Sequence, residues 1–326
     1  MYNVCKNKKK GSIIKVLVFG SKGMVGSSII RSFEECSEKF EVIPSSRQDT
    51  NLFSFDETSR LIKKISPDII INAAARVGGI YANNTNRTEF ILDNLKINMN
   101  ILEACIDYPD LRVVNLGSSC IYPLNAENPI KEDYFLDGKL EPTNSPYAIA
   151  KIAAIEIGNS LSIQFGHKVI NLMPTNLYGP NDNFSSISSH VIPGLIRRMY
   201  EAKIEEKDTF NIWGTGKPLR EFLYVDDLSN AIKFVINNDI PEGIYNVGSG
   251  EEISIYELSK KIKDLLKYDG NLEFNTDKPD GNPRKLLDST KINNLGWKHK
   301  TGLDDGLEKT IKWFNENLSV VLPGRH

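Results

Sequence analysis

The sequence predicts an α/β fold, a doubly wound parallel sheet with a smaller C-terminal substrate-binding lobe. Three observations carry the prediction. Short apolar runs alternate with longer stretches of helical periodicity through the first half of the chain, the pattern of a parallel sheet with crossover helices. The first run ends in Gly20-Ser21-Lys22-Gly23-Met24-Val25-Gly26, which opens a helix. Later runs are also followed by polar or glycine-rich motifs, which right-handed crossovers gather at the carboxyl edge of the sheet.

Taken in order, 14–19 reads as a buried strand and 24 to about 36 as a helix. A second strand covers 40–44. Residues 60–66 close a helix, and Pro67-Asp68 enters the strand 69–72. A long helix over 89–106, a strand over 113–116, a helix over 146–165 and a strand over 169–172 continue the alternation. Beyond Pro174 the pattern loosens. Residues 181–189 form a polar loop, 191–202 are amphipathic, 221–227 lead into a helix over 228–236, and 244–247 read as a strand. Helices over 255–266 and 303–317 complete the chain. This divides it into a disordered tail over 1–12, a Rossmann-type nucleotide-binding domain over 13–180 rejoined by 222–248, and a substrate-binding lobe over 181–221 and 249–318.

A chain of 326 residues is long enough for a large core and two lobes. Its formal net charge of −2 lacks the basic excess of a nucleic-acid footprint. The lysine-rich run from Lys6 to Lys10 reads as solvated tail. No segment approaches the ~20 apolar residues of a membrane span. The apolar run 13–19 is too short for a signal core and breaks on a glycine turn. Cys5, Cys36, Cys105 and Cys120 form no Cys-x-x-Cys pair and no zinc spacing. The expectation is a cytoplasmic protein with reduced thiols, no metal, and no nucleic-acid or membrane partner.

Gly20, Gly23 and Gly26 have the spacing Gly-x-x-Gly-x-x-Gly. A lone glycine triplet also fits a plain strand-to-helix turn. Here a strand precedes it, a helix follows it, and it lies in the first βα unit. Glycine permits the tight turn and close approach of a pyrophosphate, and the helix N-terminus offers free N–H groups. The second strand ends in Ser45-Ser46-Arg47-Gln48, with Asp49 only later. No carboxylate stands where NAD sites bind the ribose diol. Lys22 and Arg47 suit a 2′-phosphate, so NADP(H) is the expected cofactor, although Arg47 also reads as a solvated surface cation.

Tyr147 and Lys151 stand four positions apart, on one face of a helix. An ammonium there is expected to lower the phenol's pKa and to hold the nicotinamide ribose, with Tyr147 as general acid toward a carbonyl. Leu116-Gly117-Ser118-Ser119-Cys120 ends the preceding strand, and its Ser118 hydroxyl can bond the same carbonyl oxygen. Glycine turn, strand-end serine and Tyr-x-x-x-Lys, in this order, identify the chain as a member of the short-chain dehydrogenase/reductase superfamily.

From 15 to about 317 the chain resembles more narrowly the GDP-L-fucose synthases, dual epimerase–reductases of the extended branch. The resemblance rests on Gly23-Met24-Val25-Gly26-Ser27, Val77-Gly78-Gly79-Ile80 with Ala82-Asn83-Asn84-Thr85, and Gly117 to Pro123. It continues in Glu141-Pro142-Thr143-Asn144 with Pro146 to Lys151, and in Met173 to Pro180. Ser189-His190-Val191-Ile192-Pro193, Arg220-Glu221-Phe222 and Pro279-Asp280-Gly281 complete it. The resemblance implies a reductase triad of Ser118, Tyr147 and Lys151. It implies that Cys120 and His190 are the acid/base pair that epimerises C3 and C5 of a GDP-4-keto-6-deoxy-D-mannose. It implies cofactor contacts at 20–26, Leu116, Gly117, Ser119, Lys151, His190 and Pro174-Thr175-Asn176-Leu177, and substrate contacts at Arg198, Trp213, Arg220 and Asp280. From the residues alone, Cys120 also reads as a small filler, His190 as a loop histidine and Trp213 as core. A related GDP-4-keto-deoxyhexose or heptose as substrate, or a non-catalytic NADP-binding regulator, are the alternatives. The chain departs from the resemblance near Ser45, where the family's basic residue is replaced by Arg47 two positions on. Similar enzymes are homodimers paired through the helices 89–106 and 146–165, whose Ile97, Ile101, Ile152 and Ile155 suit such a face or the core.

Overall fold

The computed structural model describes residues 13–186, 188–277 and 280–322. The expected tail, with Cys5 and the lysine run, lies outside the described residues, as does Pro279.

The first half is a regular alternation: β1 (Ile14–Phe19), α1 (Met24–Glu34), β2 (Phe40–Ser45), α2 (Phe55–Ile65), β3 (Ile69–Asn72), α3 (Ile80–Thr85), α4 (Arg87–Glu103), β4 (Arg112–Leu116), α5 (Ser145–Phe165) and β5 (Val169–Pro174). Then follow β6 (Asn176–Tyr178), α6 (Val191–Ile204), β7 (Thr209–Trp213), β8 (Leu219–Tyr224), α7 (Val225–Asn237), β9 (Gly243–Val247) and β10 (Glu252–Ser254). The chain closes with α8 (Ile255–Leu266), β11 (Asn271–Asn275), β12 (Arg284–Lys285), α9 (Thr290–Asn294), α10 (Leu303–Glu316) and α11 (Leu318–Val321).

Six strands form one parallel sheet in the order β2-β1-β3-β4-β5-β9. Order reverses between β1 and β3, so the crevice for a ligand opens at their carboxyl ends, where Gly20 and Ala73 sit. Strand periodicity sorts the core onto two faces. Val16 and Val18 pack with Ile29 and Phe33 of α1 and Leu228 and Ile232 of α7. Leu17 and Phe19 pack on the other face with Ile62 of α2 and Ile97 and Ile101 of α4. A separate core joins α6, α8 and α10 through Ile196, Met199, Leu258, Ile262, Leu307 and Phe314, roofed by Phe210 and Phe222. Ile97, Ile101 and Ile155 are therefore core, and Ile152 is half-buried against Met173 and its neighbours. The large apolar side chains that α4 and α5 turn outward are Leu92, Met99, Ile149, Ile163 and Phe165.

Short elements beyond Pro174 depart most from the sequence expectation. Residues 221–224 belong to a strand, β8, that runs directly into α7. β8 gathers β6, β10 and β12 around itself, while β7 pairs β11.

Glu221 ties these parts together. Its side chain is fully buried and accepts the N–H groups of Gly250 at 2.7 Å and Leu287 at 3.0 Å. Its carbonyl accepts Thr175 Oγ1 at 3.2 Å and Asn176 Nδ2 at 2.9 Å. Burial pushes the carboxyl upward in pKa, and the N–H donors oppose that shift. A Glu221→Ala variant leaves two buried donors without an acceptor, at about 1–3 kcal/mol each. Urea unfolding is expected to show a loss of about 2–4 kcal/mol, and Glu221→Gln, which keeps one acceptor, a smaller loss.

Candidate active site

The glycine turn is shaped by what it excludes. Gly20 has φ +75°, which favours glycine, and a Cβ there would meet the Ala73 backbone at 2.7 Å. A Cβ on Gly26 would lie 2.1 Å from the Gly20 carbonyl oxygen, so α1 can approach β1 only without one. A Cβ on Gly23 would meet nothing but that same oxygen, at 3.5 Å, and otherwise point into open space. Gly23 is also the N-cap of α1 and offers no side-chain cap. An open cradle at an uncapped helix start fits the pyrophosphate of a dinucleotide. Ser21 N–H is held by the Ser45 carbonyl at 3.1 Å, which brings the end of β2 to the same turn.

That strand end is cationic in what it leaves available. Lys22 Nζ donates to Gln48 Oε1 at 2.5 Å, and Arg47 is exposed. Asp49 turns back to accept from Ser46 N and Oγ at 2.8 and 2.7 Å. These bonds engage Oδ2 and hold the carboxyl below the ordinary range.

Ser118, Cys120, Tyr147 and Lys151 meet where β4 faces the first turns of α5. Ser118 caps the short turn Ser119–Ile121, its Oγ accepting Cys120 N–H at 3.2 Å. Lys151 is buried, and its Nζ donates to the Leu116 carbonyl at 2.7 Å. Burial lowers its pKa to about 8. Its ammonium lies 5.8 Å from the Tyr147 ring centroid. Contrary to the expectation of a lowered phenol pKa, burial pushes Tyr147 up and the neighbouring Cys120 adds to the shift, while a hydrogen bond with Ser118 opposes it. Desolvation outweighs the ammonium, which is engaged by Leu116 and itself desolvated. A phenol held protonated is suited to giving a proton away.

Two donors surround Cys120 Sγ. Asn144 Nδ2 lies at 3.4 Å and Lys285 Nζ at 3.9 Å. Asn144 is set by its own N–H to Glu141 Oε2 at 3.1 Å. Lys285 was not singled out from the sequence. Its position depends on the pairing of β12 with β8, and nothing local to Arg284-Lys285 announces it.

His190 reaches the same cleft from the other side, as N-cap of α6. The protein around its ring partly desolvates it and lowers its pKa, a hydrogen bond with the Gly78 backbone opposes that, and the residue keeps an exposed surface. Gly79 N–H donates to Ser188 O at 3.0 Å, and a Cβ on Gly79 would lie 2.5 Å from Ser189 O. A Cβ on Gly78 would touch Phe90 Cζ at 3.2 Å, and the Phe90 ring packs edge-on to Tyr147 at 6.5 Å. The glycine pair Gly78-Gly79 thus joins the histidine loop to the Tyr147 side.

The expected substrate contacts form a second cluster. Arg198 stacks on Trp213 at 4.4 Å and lies 5.1 Å from the Phe210 ring. Burial brings its pKa to about 10, so it is charged at neutral pH. Its side chain donates to the carbonyls of Gly194 and Asn211. Trp213 is 54% exposed, which removes its reading as core. Asp280 accepts Thr215 N and Oγ1 at 2.8 and 2.7 Å, so it braces the turn after β7. Arg220 is lowered by burial, with Asp280 opposing. Thr175 and Asn176 spend their side chains on the Glu221 carbonyl, and Leu177 packs on the core.

Residues 16–248 match the family described as NAD dependent epimerase/dehydratase. A GDP-L-fucose synthase of Sinorhizobium fredii is 45% identical over 305 residues, 94% of this chain and 96% of the relative. The GDP-L-fucose synthase of Escherichia coli is 42% identical over 312 residues, 93% and 97% of the two chains. Among solved structures, a GDP-L-fucose synthetase of Naegleria fowleri bound to NADP superposes with TM-score 0.86 at 30% identity, covering 94% of each chain.

The two glycines of the turn are expected to separate folding from binding. Gly26→Ala overpacks the β1–α1 contact and lowers unfolding stability by about 1–3 kcal/mol. Gly23→Ala changes stability by less than about 1 kcal/mol but weakens dinucleotide binding. Urea unfolding and fluorescence titration with NADPH measure the two effects.

Proposed function

The chain belongs to the GDP-L-fucose synthase family, within the NAD dependent epimerases/dehydratases and the extended short-chain dehydrogenase/reductases, and on that premise we propose that it converts GDP-4-keto-6-deoxy-D-mannose to GDP-L-fucose with NADPH. The observation that carries this reading is the placement of a thiol, Cys120, beside a Ser118–Tyr147–Lys151 set: Ser118 Oγ accepts the Cys120 N–H, and Asn144, at the start of the helix that carries Tyr147 and Lys151, donates to the sulfur. A simple reductase needs the phenol and has no use for the thiol.

A carbonyl at C4 acidifies the hydrogens on C3 and C5, because charge left on carbon spreads onto oxygen. Cys120 takes such a proton to sulfur, and His190 returns one to the opposite face. Tyr147 then gives its proton to the C4 oxygen, while Ser118 shares the charge developing there. Bound NADPH supplies the hydride for that step. Lys151 would hold its ribose, residues 20–26 its pyrophosphate, and Lys22 with Arg47 the 2′-phosphate. The self-engaged Asp49 supports NADP over NAD. Arg198 and Arg220, half-buried, suit a diphosphate, and exposed Trp213 suits the nucleoside. On this reading 181–221 and 249–318 form the lobe that binds the sugar nucleotide, over a nucleotide domain of 13–180 with 222–248. A thiol that must stay reduced favours the cytoplasm. Leu92, Met99, Ile149 and Ile163 supply an apolar face for a homodimer through α4 and α5.

The direct test is NADPH oxidation with several GDP-4-keto sugars, the fucose precursor beside dideoxyhexose and heptose analogues. The expected product is GDP-L-fucose, and no turnover with any of them would overturn the reading. Tyr147→Phe should abolish NADPH oxidation yet leave exchange of the C3 and C5 hydrogens with deuterated water. Cys120→Ser should slow that exchange by on the order of 10²–10⁴-fold, and His190→Asn should lower the yield of the L-configured product while cofactor binding survives.

NADPH should bind more tightly than NADH, and equal affinities in a titration would remove the cation argument. Lys151 is protonated below its pKa of about 8 and neutral above it. Affinity of the free enzyme for NADPH is therefore expected to fall as pH rises through about 8, measured by the same titration.

A further inference from the structure

β12 is two residues long, and strand alternation sends its side chains to opposite faces. Arg284 turns to Glu252, with Nε 2.9 Å from both carboxylate oxygens and Nη2 2.6 Å from Oε2. Lys285 turns the other way, to Cys120 Sγ at 3.9 Å. Its backbone is pinned on either side. The Pro283 carbonyl accepts Leu219 N–H at 2.9 Å, Leu286 N–H donates to Asn128 Oδ1 at 2.7 Å, and Leu287 N–H donates to Glu221. The ammonium is thus delivered to the thiol by a segment fixed on both sides, rather than by a free surface side chain.

From this geometry we propose that Lys285, with Asn144, is the positioning residue that makes Cys120 a base: its ammonium holds the negative charge on sulfur. The inference rests on the reading of Cys120 as the group that takes the proton. In that step the C–H electron pair is left on the sugar as an enolate, the proton passes to Cys120 sulfur, and Lys285 keeps its own proton throughout. Donors to a thiolate stabilise the charged form, most of all when the donor is a cation. Asn144 supplies the second donor, held in place by Glu141. The groups facing the sulfur are then the Lys285 ammonium from β12 and the side-chain amide of Asn144, the N-cap residue of α5, with the Tyr147 phenol nearby on α5. Ser118 is engaged with the Cys120 backbone N–H.

The test uses the full-length protein and reads the thiol without turnover. Iodoacetamide alkylation of Cys120, followed by mass spectrometry of its peptide, is measured against pH for wild type, Lys285→Met and Lys285→Arg. Loss of the cation is expected to slow alkylation at neutral pH by about tenfold and move its midpoint upward by about one unit, while Lys285→Arg restores most of the rate. Exchange of the substrate hydrogens with deuterated water should fall in parallel at neutral pH and recover as pH rises, with NADPH affinity unchanged. Coincident alkylation profiles for wild type and Lys285→Met would overturn the proposal. If alkylation shifts but exchange does not, the ammonium–sulfur pairing stands and the assignment of Cys120 as base fails. Should Lys285→Met not fold, Lys285→Gln, which keeps a polar donor without charge, carries the same comparison.

Discussion

A carboxylate without access to water holds the mouth of this cleft together. Among the described residues no cation pairs with Glu221. It is satisfied instead by N–H groups from Gly250 and Leu287, and by Thr175 at its own backbone. Those partners follow β9, β12 and β5 respectively, so one side chain orders segments from two different sheets. A buried carboxyl tolerates no loose partner, because each donor that drifts leaves a buried polar group unsatisfied. Gly248 belongs to the same arrangement, since a Cβ there would lie 2.2 Å from Glu221 Oε1. Leu287 is two residues from Lys285, and the constraint passes along that strand to the thiol.

Desolvation, more than pairing of charges, shifts the titrating groups of the site. Burial pushes Tyr147 toward its neutral phenol and Lys151 down to about 8. Arg198 and Arg220 are also lowered by burial, yet guanidinium groups start so high that both remain charged at neutral pH. The outcome is a division of labour in space. Ser118, Cys120, Tyr147 and Lys151 gather at the carboxyl edge of the parallel sheet, and the permanent cations Arg198 and Arg220 stand apart on α6 and β8.

The inner strands of the central sheet were legible because they are largely buried and read as mainly apolar runs. The bounds of β1, β3 and α8 agree residue for residue with the sequence reading. α8 is bounded by a reciprocal cap between Ser254 and Glu257, a signal contained in a few adjacent residues. β12 had no such signal: two charged residues become a strand only because β8 offers an edge. The site divides in the same way. Ser118, Cys120, Tyr147 and Lys151 lie in compact motifs whose geometry is local to β4, the turn after it, and α5. Lys285 meets Cys120 across 165 positions of sequence, and no spacing rule reaches that far. Spacing also misjudged the phenol, since an i, i+4 ammonium can be counted in a sequence while depth beneath the surface cannot.

The contact between Gly79 and the Ser188–Ser189 loop has a consequence for how this scaffold can change. Gly79 has an ordinary φ of −66°, so its backbone would accept any residue; what the position cannot accept is volume. A single methyl group there would act as a wedge between the loop that carries His190 and the one that packs over Phe90. Substitution by a larger side chain is therefore disfavoured at this seam. It stays open around Trp213, where an exposed ring leaves room for new shapes. For an engineer the seam is the converse, a built-in spacer position at which one added carbon would pry the cleft apart without touching a reacting group.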